Sequence, residues 1–230
     1  RSAIGKIGLL SLLQTVLQYL FFYIGLAHTT GVKASIIEAV STFVAILVAG
    51  YLFHQETVTS RKMLGCLIGF AGVVLVNVAG SGMDFHFSPA GDGCILLSTV
   101  AYAFSSVCMK RFSQKEDPVM LSGYQFILGG IVMIACGAAM GGHLKAFTAS
   151  AAALLIYMAM ISAVAYSLWG MLLKYNPVSK VTVFGFMNPV IGVILSALLL
   201  NETESLGVSS VLALGLVCVG IYIVNAKAKE

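Results

Sequence analysis

Glu38 is the residue of this chain with the most chemistry open to it, because it is the only carboxylate well inside a long apolar run. It lies six residues into the run Val32–Phe53, about 9 Å at a helical rise of ~1.5 Å per residue. An ionised carboxylate at membrane depth needs a partner or water, so Glu38 is suited to bind a cationic group or to carry a proton. Lys33, close by in sequence, offers the alternative of a structural pair or a snorkelling side chain. Ser35, Ser41 and Thr42 share its helical spacing, and three other runs carry polar rows: Ser11, Gln14 and Gln18; Ser98, Tyr102 and Ser105; Ser162, Tyr166 and Trp169. Such rows either bridge helices, at ~0.6 kcal/mol per bond on average, or line a wet cavity. The residues expected to meet a substrate are Gln14, Gln18, Glu38, Ser98, Tyr102, Tyr166, Trp169 and Asn188. Pro189 follows Asn188 in mid-run, where it cannot donate to the carbonyl of Gly185, and is expected to act as a hinge.

These residue types do not assemble into a catalyst. Asp92 has no second aspartate inside a run, and no HExxH, Gly-x-Ser-x-Gly or Ser-His arrangement lies within one. Cys66, Cys94, Cys108, Cys136 and Cys218 all fall in apolar runs without CxxC spacing and read as small hydrophobes. His28, His54, His86 and His143 sit singly in different loops, without a partner at i+4. No catalytic residue, metal or cofactor is expected.

The elements that position the polar rows follow from composition. The chain is 59% hydrophobic and 10% charged, with mean hydropathy +0.99, against roughly 45–50% and 25% in soluble domains. It reads as an all-α polytopic membrane protein in a lipid bilayer. Runs of bilayer length, about 17–25 residues, are Ile7–Ala27, Val32–Phe53, Met63–Ala79, Gly91–Met109, Val119–Met140, Ala151–Leu173, Val178–Leu200 and Gly207–Val224. These eight expected transmembrane helices are continuous and rich in Leu, Ala and Gly, whereas barrel strands would alternate.

An internal repeat orders them. LVAGYLFHQE ends at Glu56 and LSALLLNE at Glu202; each is followed by a short polar loop, an apolar helix and a Gly-to-Asn ending, Gly72–Asn77 and Gly220–Asn225. The copies lie 146 to 148 residues apart. Alternating the loops across the membrane places Lys33 and Lys145 on one side and the other eleven of the 13 basic residues on the opposite side. That asymmetry makes both chain ends cytoplasmic and explains the net charge of +4 without a nucleic-acid partner. Glu56 and Glu202 then face opposite sides, as in inverted repeats with an odd number of spans. Residues 91–226 supply five spans and residues 1–80 three, so two further spans are expected before the first, making ten in inverted five-helix repeats. Glu56 and Glu202 are expected to be structural, each reaching the positive start of a following helix, with Thr59 or Ser60 and Thr203 or Ser205 as its cap.

The two acid-terminated segments, the stretch FGFMNPVIGVILSALLLNE, the Gly-rich final helices and the span GDGCILLSTVAYAFSSVCMKR resemble the drug/metabolite transporter superfamily, in particular its EamA-like members, over essentially the whole chain. The resemblance implies ten helices in two inverted halves in the cell membrane, with export of small metabolites through a central cavity. The chain departs from that pattern in the two absent helices and in lacking a proline in the first copy. The expected activity is export of an amino-acid-like or drug-like metabolite by alternating access. A neutral or zwitterionic substrate fits hydroxyls, amides and aromatics without a deep Lys or Arg, which disfavours the superfamily's nucleotide-sugar and organic-anion carriers. A non-transporting scaffold or sensor is the rival reading. Small-residue stripes would serve a homodimer as well as internal packing.

Overall fold

A computed structural model describes residues 2–81, 88–142, 148–191, 195 and 208–226. The described residues are helices, turns and loops, with no strand among them. The helices are α1 (Ala3–Leu26), α2 (Gly31–Ala39), α3 (Ser41–Leu47), α4 (Ser60–Ser81), α5 (Asp92–Ser113), α6 (Pro118–Ala139), α7 (Ala149–Tyr175), α8 (Val178–Ile191) and α9 (Val208–Asn225). Five segments are long and apolar enough to cross a membrane: α1, the α2–α3 stretch Lys33–Leu52, α5, α6 and α7. The other apolar runs fall on α4, α8 and α9; Glu202 lies outside the described residues.

Local chemistry sets several boundaries. Thr30 caps α2 by accepting the Lys33 N–H (3.3 Å), and Thr148 caps α7 through the Ala151 N–H (3.2 Å). Asp117 accepts from the Met120 N–H at 2.9 Å, and Pro118 fills the first helical position, where a missing donor is harmless. At the start of α5, Asp92 accepts from the Ser88 N–H (2.9 Å) and from the Thr29 hydroxyl, tying that end to the α1–α2 loop.

Two helices depart from regular α geometry where the polar rows run. In α1, Ser11–Leu17 is π-helical. A π turn holds more residues than an α turn, so a spacing of seven no longer returns to the same face. Ser11, Gln14 and Gln18, expected to form one row, are thereby divided: an ideal Cβ on Gly129 of α6 would meet Ser11 Oγ at 2.9 Å, and Gln14 Oε1 accepts from Gln125 Nε2 of α6 at 2.8 Å. In α8, Val183–Phe186 is a 3-10 turn just before Pro189, whose missing N–H deprives the Gly185 carbonyl of its i→i−4 donor. The α2–α3 stretch is interrupted too, at Val40, whose N–H bonds Ile37 O at 3.0 Å, although no proline is present there. Val40 and Met187, which ends the 3-10 turn, are 147 residues apart.

Two apolar clusters hold the bundle together. One gathers Leu10, Ala45, Val107, Leu121, Leu173 and Val178 from α1, α3, α5, α6, α7 and α8. The other gathers Ile46, Cys66, Val73, Phe186, Ala213 and Val217, and includes the interface of α4 with α9. Here the backbones approach closely: a Cβ on Gly220 would lie 2.6 Å from Gly65 O, and one on Gly65 would lie 2.9 Å from Gly220 O. One turn pair further along, a Cβ on Gly72 would lie 2.7 Å from Ala213 O. A shift of 148 residues turns Gly65 into Ala213 and Gly72 into Gly220, so the two contacts exchange partners.

Candidate functional site

The polar rows converge on a cavity of about 810 Å³ enclosed by α1, α2, α3, α5, α7 and α8. From α1 it receives Gln18, Tyr19 and Phe22, and from α7 it receives Ala165, Tyr166 and Trp169. Each of these residues stands 147 positions from its counterpart. The interrupted helices repeat the relation: Ser35, Glu38, Ser41 and Thr42 on one side correspond to Thr182, Gly185, Asn188 and Pro189 on the other. Even local bonding matches, since Ser35 Oγ donates to Gly31 O (2.9 Å) and Thr182 Oγ1 to Val178 O (3.0 Å). Helix α5 closes a further wall with Ser98, Thr99 and Tyr102.

Of the residues expected to meet substrate, Gln18, Glu38, Ser98, Tyr102, Tyr166, Trp169 and Asn188 line this cavity, as does Pro189. Gln14 does not; it is 2% exposed and occupied with Gln125. The expected set omitted Tyr19 and Phe22, and left Ser35, Ser41 and Thr42 outside the candidate list. The 147-residue offset, applied residue by residue from Tyr166 and Trp169, would have found the first two.

The electrostatics of the cavity are one-sided. Glu38 is the only charged side chain among the described residues of its lining, and it is exposed. Among the described residues no hydrogen bond or ion pair reaches its carboxylate; the ion pairs seen are Lys6–Glu116 (2.7 Å) and Lys62–Glu56 (2.8 Å). Ser98 Oγ donates to the Gln18 backbone carbonyl (2.8 Å), which spends its only proton. Two buried polar atoms of the lining, Gln18 Oε1 and Trp169 Nε1, have no hydrogen-bond partner among the described residues. Burying such atoms without a partner is costly. The Tyr102 and Trp169 rings lie 6.4 Å apart at 30°, and the Tyr19 and Tyr166 hydroxyls are 2.8 Å apart. At Gly185, 147 residues from Glu38, a Cβ would meet none of the described residues within 4 Å. No group of three His, Cys, Asp or Glu among the described residues is placed to hold a metal ion.

At the end of the bundle rich in Lys and Arg the helices are tied by polar bonds. Glu56 bonds the start of α8 and, through Lys62, the first turn of α4, the next helix in sequence. Its Oε1 accepts the Ser179 N–H (2.9 Å) and its Oε2 accepts both the Ser179 hydroxyl (2.5 Å) and Lys62 Nζ (2.8 Å). Negative charge there complements the helix dipole. Thr59 caps α4 through the Lys62 N–H at 3.4 Å. Lys110 Nζ donates to the carbonyls of Leu173 (3.0 Å) and Asn176 (2.6 Å) at the end of α7.

An all-helical chain with several membrane-length apolar helices around an interior polar cavity is a multi-pass membrane protein of the carrier type. The chain belongs to the EamA-like transporter family, within the drug/metabolite transporter superfamily: the family's sequence pattern matches residues 1–78 and 89–226. An uncharacterized transporter, YvbV, of Bacillus subtilis is 27% identical over 227 residues, covering 95% of this chain and 71% of the relative. An uncharacterized transporter of Archaeoglobus fulgidus is 28% identical over 231 residues, 97% of this chain and 77% of its own length. A chloroplastic WAT1-related protein of Arabidopsis thaliana is 28% identical over 211 residues; the chain covers only half of that protein. A crystal structure superposes with a TM-score of 0.82 over 97% of this chain and 78% of the other at 18% identity, which establishes the shared fold.

Proposed function

We propose that the protein moves a small metabolite across the cell membrane by alternating access, the cavity serving as the binding site between two inverted repeats. The observation that carries this reading is the construction of the cavity from pairs 147 residues apart, since a site on a two-fold axis is lined by both copies of each position. The reciprocal Gly65–Gly220 and Gly72–Ala213 contacts support the same axis. Interruptions at Val40 and at Val183–Phe186 fit the discontinuous helices that surround midplane sites in such carriers.

In this reading Gln18, Glu38, Ser98, Tyr102, Tyr166, Trp169 and Asn188 contact the solute, Pro189 loosens α8, and Gln14 positions α6. The Glu56–Ser179–Lys62 cluster closes the cytoplasmic side, the side that the basic residues mark. The test is solute flux through the full-length protein in proteoliposomes, with a panel of amino acids, amines and organic acids. Flux that is saturable and lost in Gly185→Leu is the expected result; background flux for every solute would favour a scaffold or sensor.

A further inference from the structure

We propose that the cavity selects a monovalent organic ammonium with an aromatic or broad apolar body and no carboxylate, its ammonium at Glu38 and its body between the Tyr102–Trp169 wall and the space at Gly185. This deepens the transport reading and rests on it. It also replaces the neutral or zwitterionic substrate expected from sequence.

Charge balance is the first argument. The lining holds one carboxylate and no Lys, Arg or His, and no described residue pairs with that carboxylate. In a low-dielectric interior an unmatched charge is unfavourable, so the complementary solute is a net cation. A zwitterion would bring a second carboxylate near Glu38 with no cation to receive it.

The hydrogen-bonding groups point the same way. An ammonium has N–H donors only, and the Glu38 carboxylate is a charged acceptor exposed in the lining. A carboxylate would meet neutral donors such as the Asn188 amide and the Ser41 hydroxyl, but no cation among the described lining residues.

Shape supplies the rest. Tyr102 and Trp169 place two aromatic rings 6.4 Å apart in the lining, and such rings attract apolar bodies and cations. The position matched to Glu38 is Gly185, where open space lies in the direction a side chain would take.

The chain has a single tryptophan, Trp169, and with every tryptophan outside these 230 residues replaced by phenylalanine its fluorescence reports on this cavity. The full-length protein in nanodiscs would be titrated with phenethylamine, phenylalanine and 3-phenylpropionate, which share a ring and differ in net charge. The expected result is a saturable change with phenethylamine, a dissociation constant at least about tenfold lower than that of phenylalanine, and no response to 3-phenylpropionate. Glu38→Gln should erase the preference and Glu38→Asp should keep it, both variants remaining monodisperse. Equal or tighter binding of phenylalanine, binding of the acid, an unchanged preference in Glu38→Gln, or no response to any probe would overturn the proposal. Flux in proteoliposomes judges the transport reading separately: Gly185-sensitive flux of any solute keeps that reading even if the amine preference fails, and its absence sinks it whatever Trp169 reports.

Discussion

The hydroxyls of Tyr19 and Tyr166 lie 2.8 Å apart across the cavity while their residues stand 147 positions apart in the chain. The same offset relates Phe22 to Trp169 and Glu38 to Gly185. A tyrosine thus meets its own sequence counterpart, as residues on a two-fold axis do. The pair ties α1 to α7 at the level of the site. Tyr19→Phe and Tyr166→Phe should each destabilise the protein modestly, and a double-mutant cycle should give a coupling of about 0.6 kcal/mol, the average for a bond between membrane helices. Additive effects in thermal unfolding would show that the two hydroxyls do not interact.

Two glycines of the bundle should respond oppositely to the same change. Gly185→Leu adds bulk where nothing lies within 4 Å, so flux should fall by about tenfold or more with little loss of stability. Gly220→Leu drives a side chain at Gly65 O, 2.6 Å from its first carbon, and should cost on the order of 1–3 kcal/mol. Measuring melting temperature and flux for both variants checks the pair; a folded, fully active Gly220→Leu would contradict the close approach of α4 and α9.

Removing the Glu56 carboxylate leaves the Ser179 N–H without its acceptor and the Lys62 ammonium with only the Thr57 carbonyl. Glu56→Ala should lower stability by about 1–2 kcal/mol, the range for a lost helix cap. It should also expose the cavity to the basic face. With native cysteines replaced, a cysteine at Ser98 should react faster with an impermeant maleimide added on that face than in the Glu56 parent. Equal labelling rates would remove Glu56 from the closing contact.

Gln14→Ala should behave differently from any change in the cavity. It strands Gln125, which is fully buried, and an unsatisfied buried amide costs about 1–3 kcal/mol. Its effect should appear in the melting temperature, while solute preference among the surviving molecules stays that of the parent. A shift in preference would place Gln14 in the site after all.

The residues that reach the cavity were legible because polarity inside an apolar run is rare and has few explanations. Glu38, Tyr102, Tyr166 and Trp169 are visible on that ground alone. What could not be read was anything depending on how many residues a turn holds. The π turn at Ser11–Leu17 redirected Gln14 toward α6, and no residue type announces it. The break at Val40 was equally silent, whereas Pro189 marked the disturbed stretch of α8. Glu56 was expected to seek the start of the following helix, but its partner Ser179 is 123 residues away, a distance that local capping rules do not span.

The glycine contacts between α4 and α9 divide the molecule into stiff and compliant parts. Where two backbones come this close, neither helix can slide past the other without collision, so the crossing acts as a fulcrum. Displacement of the walls around the cavity must then be absorbed elsewhere. In the proposed alternating access, the stretches interrupted at Val40 and at Val183–Phe186, which carry Glu38 and Asn188, are suited among the described helices to absorb it.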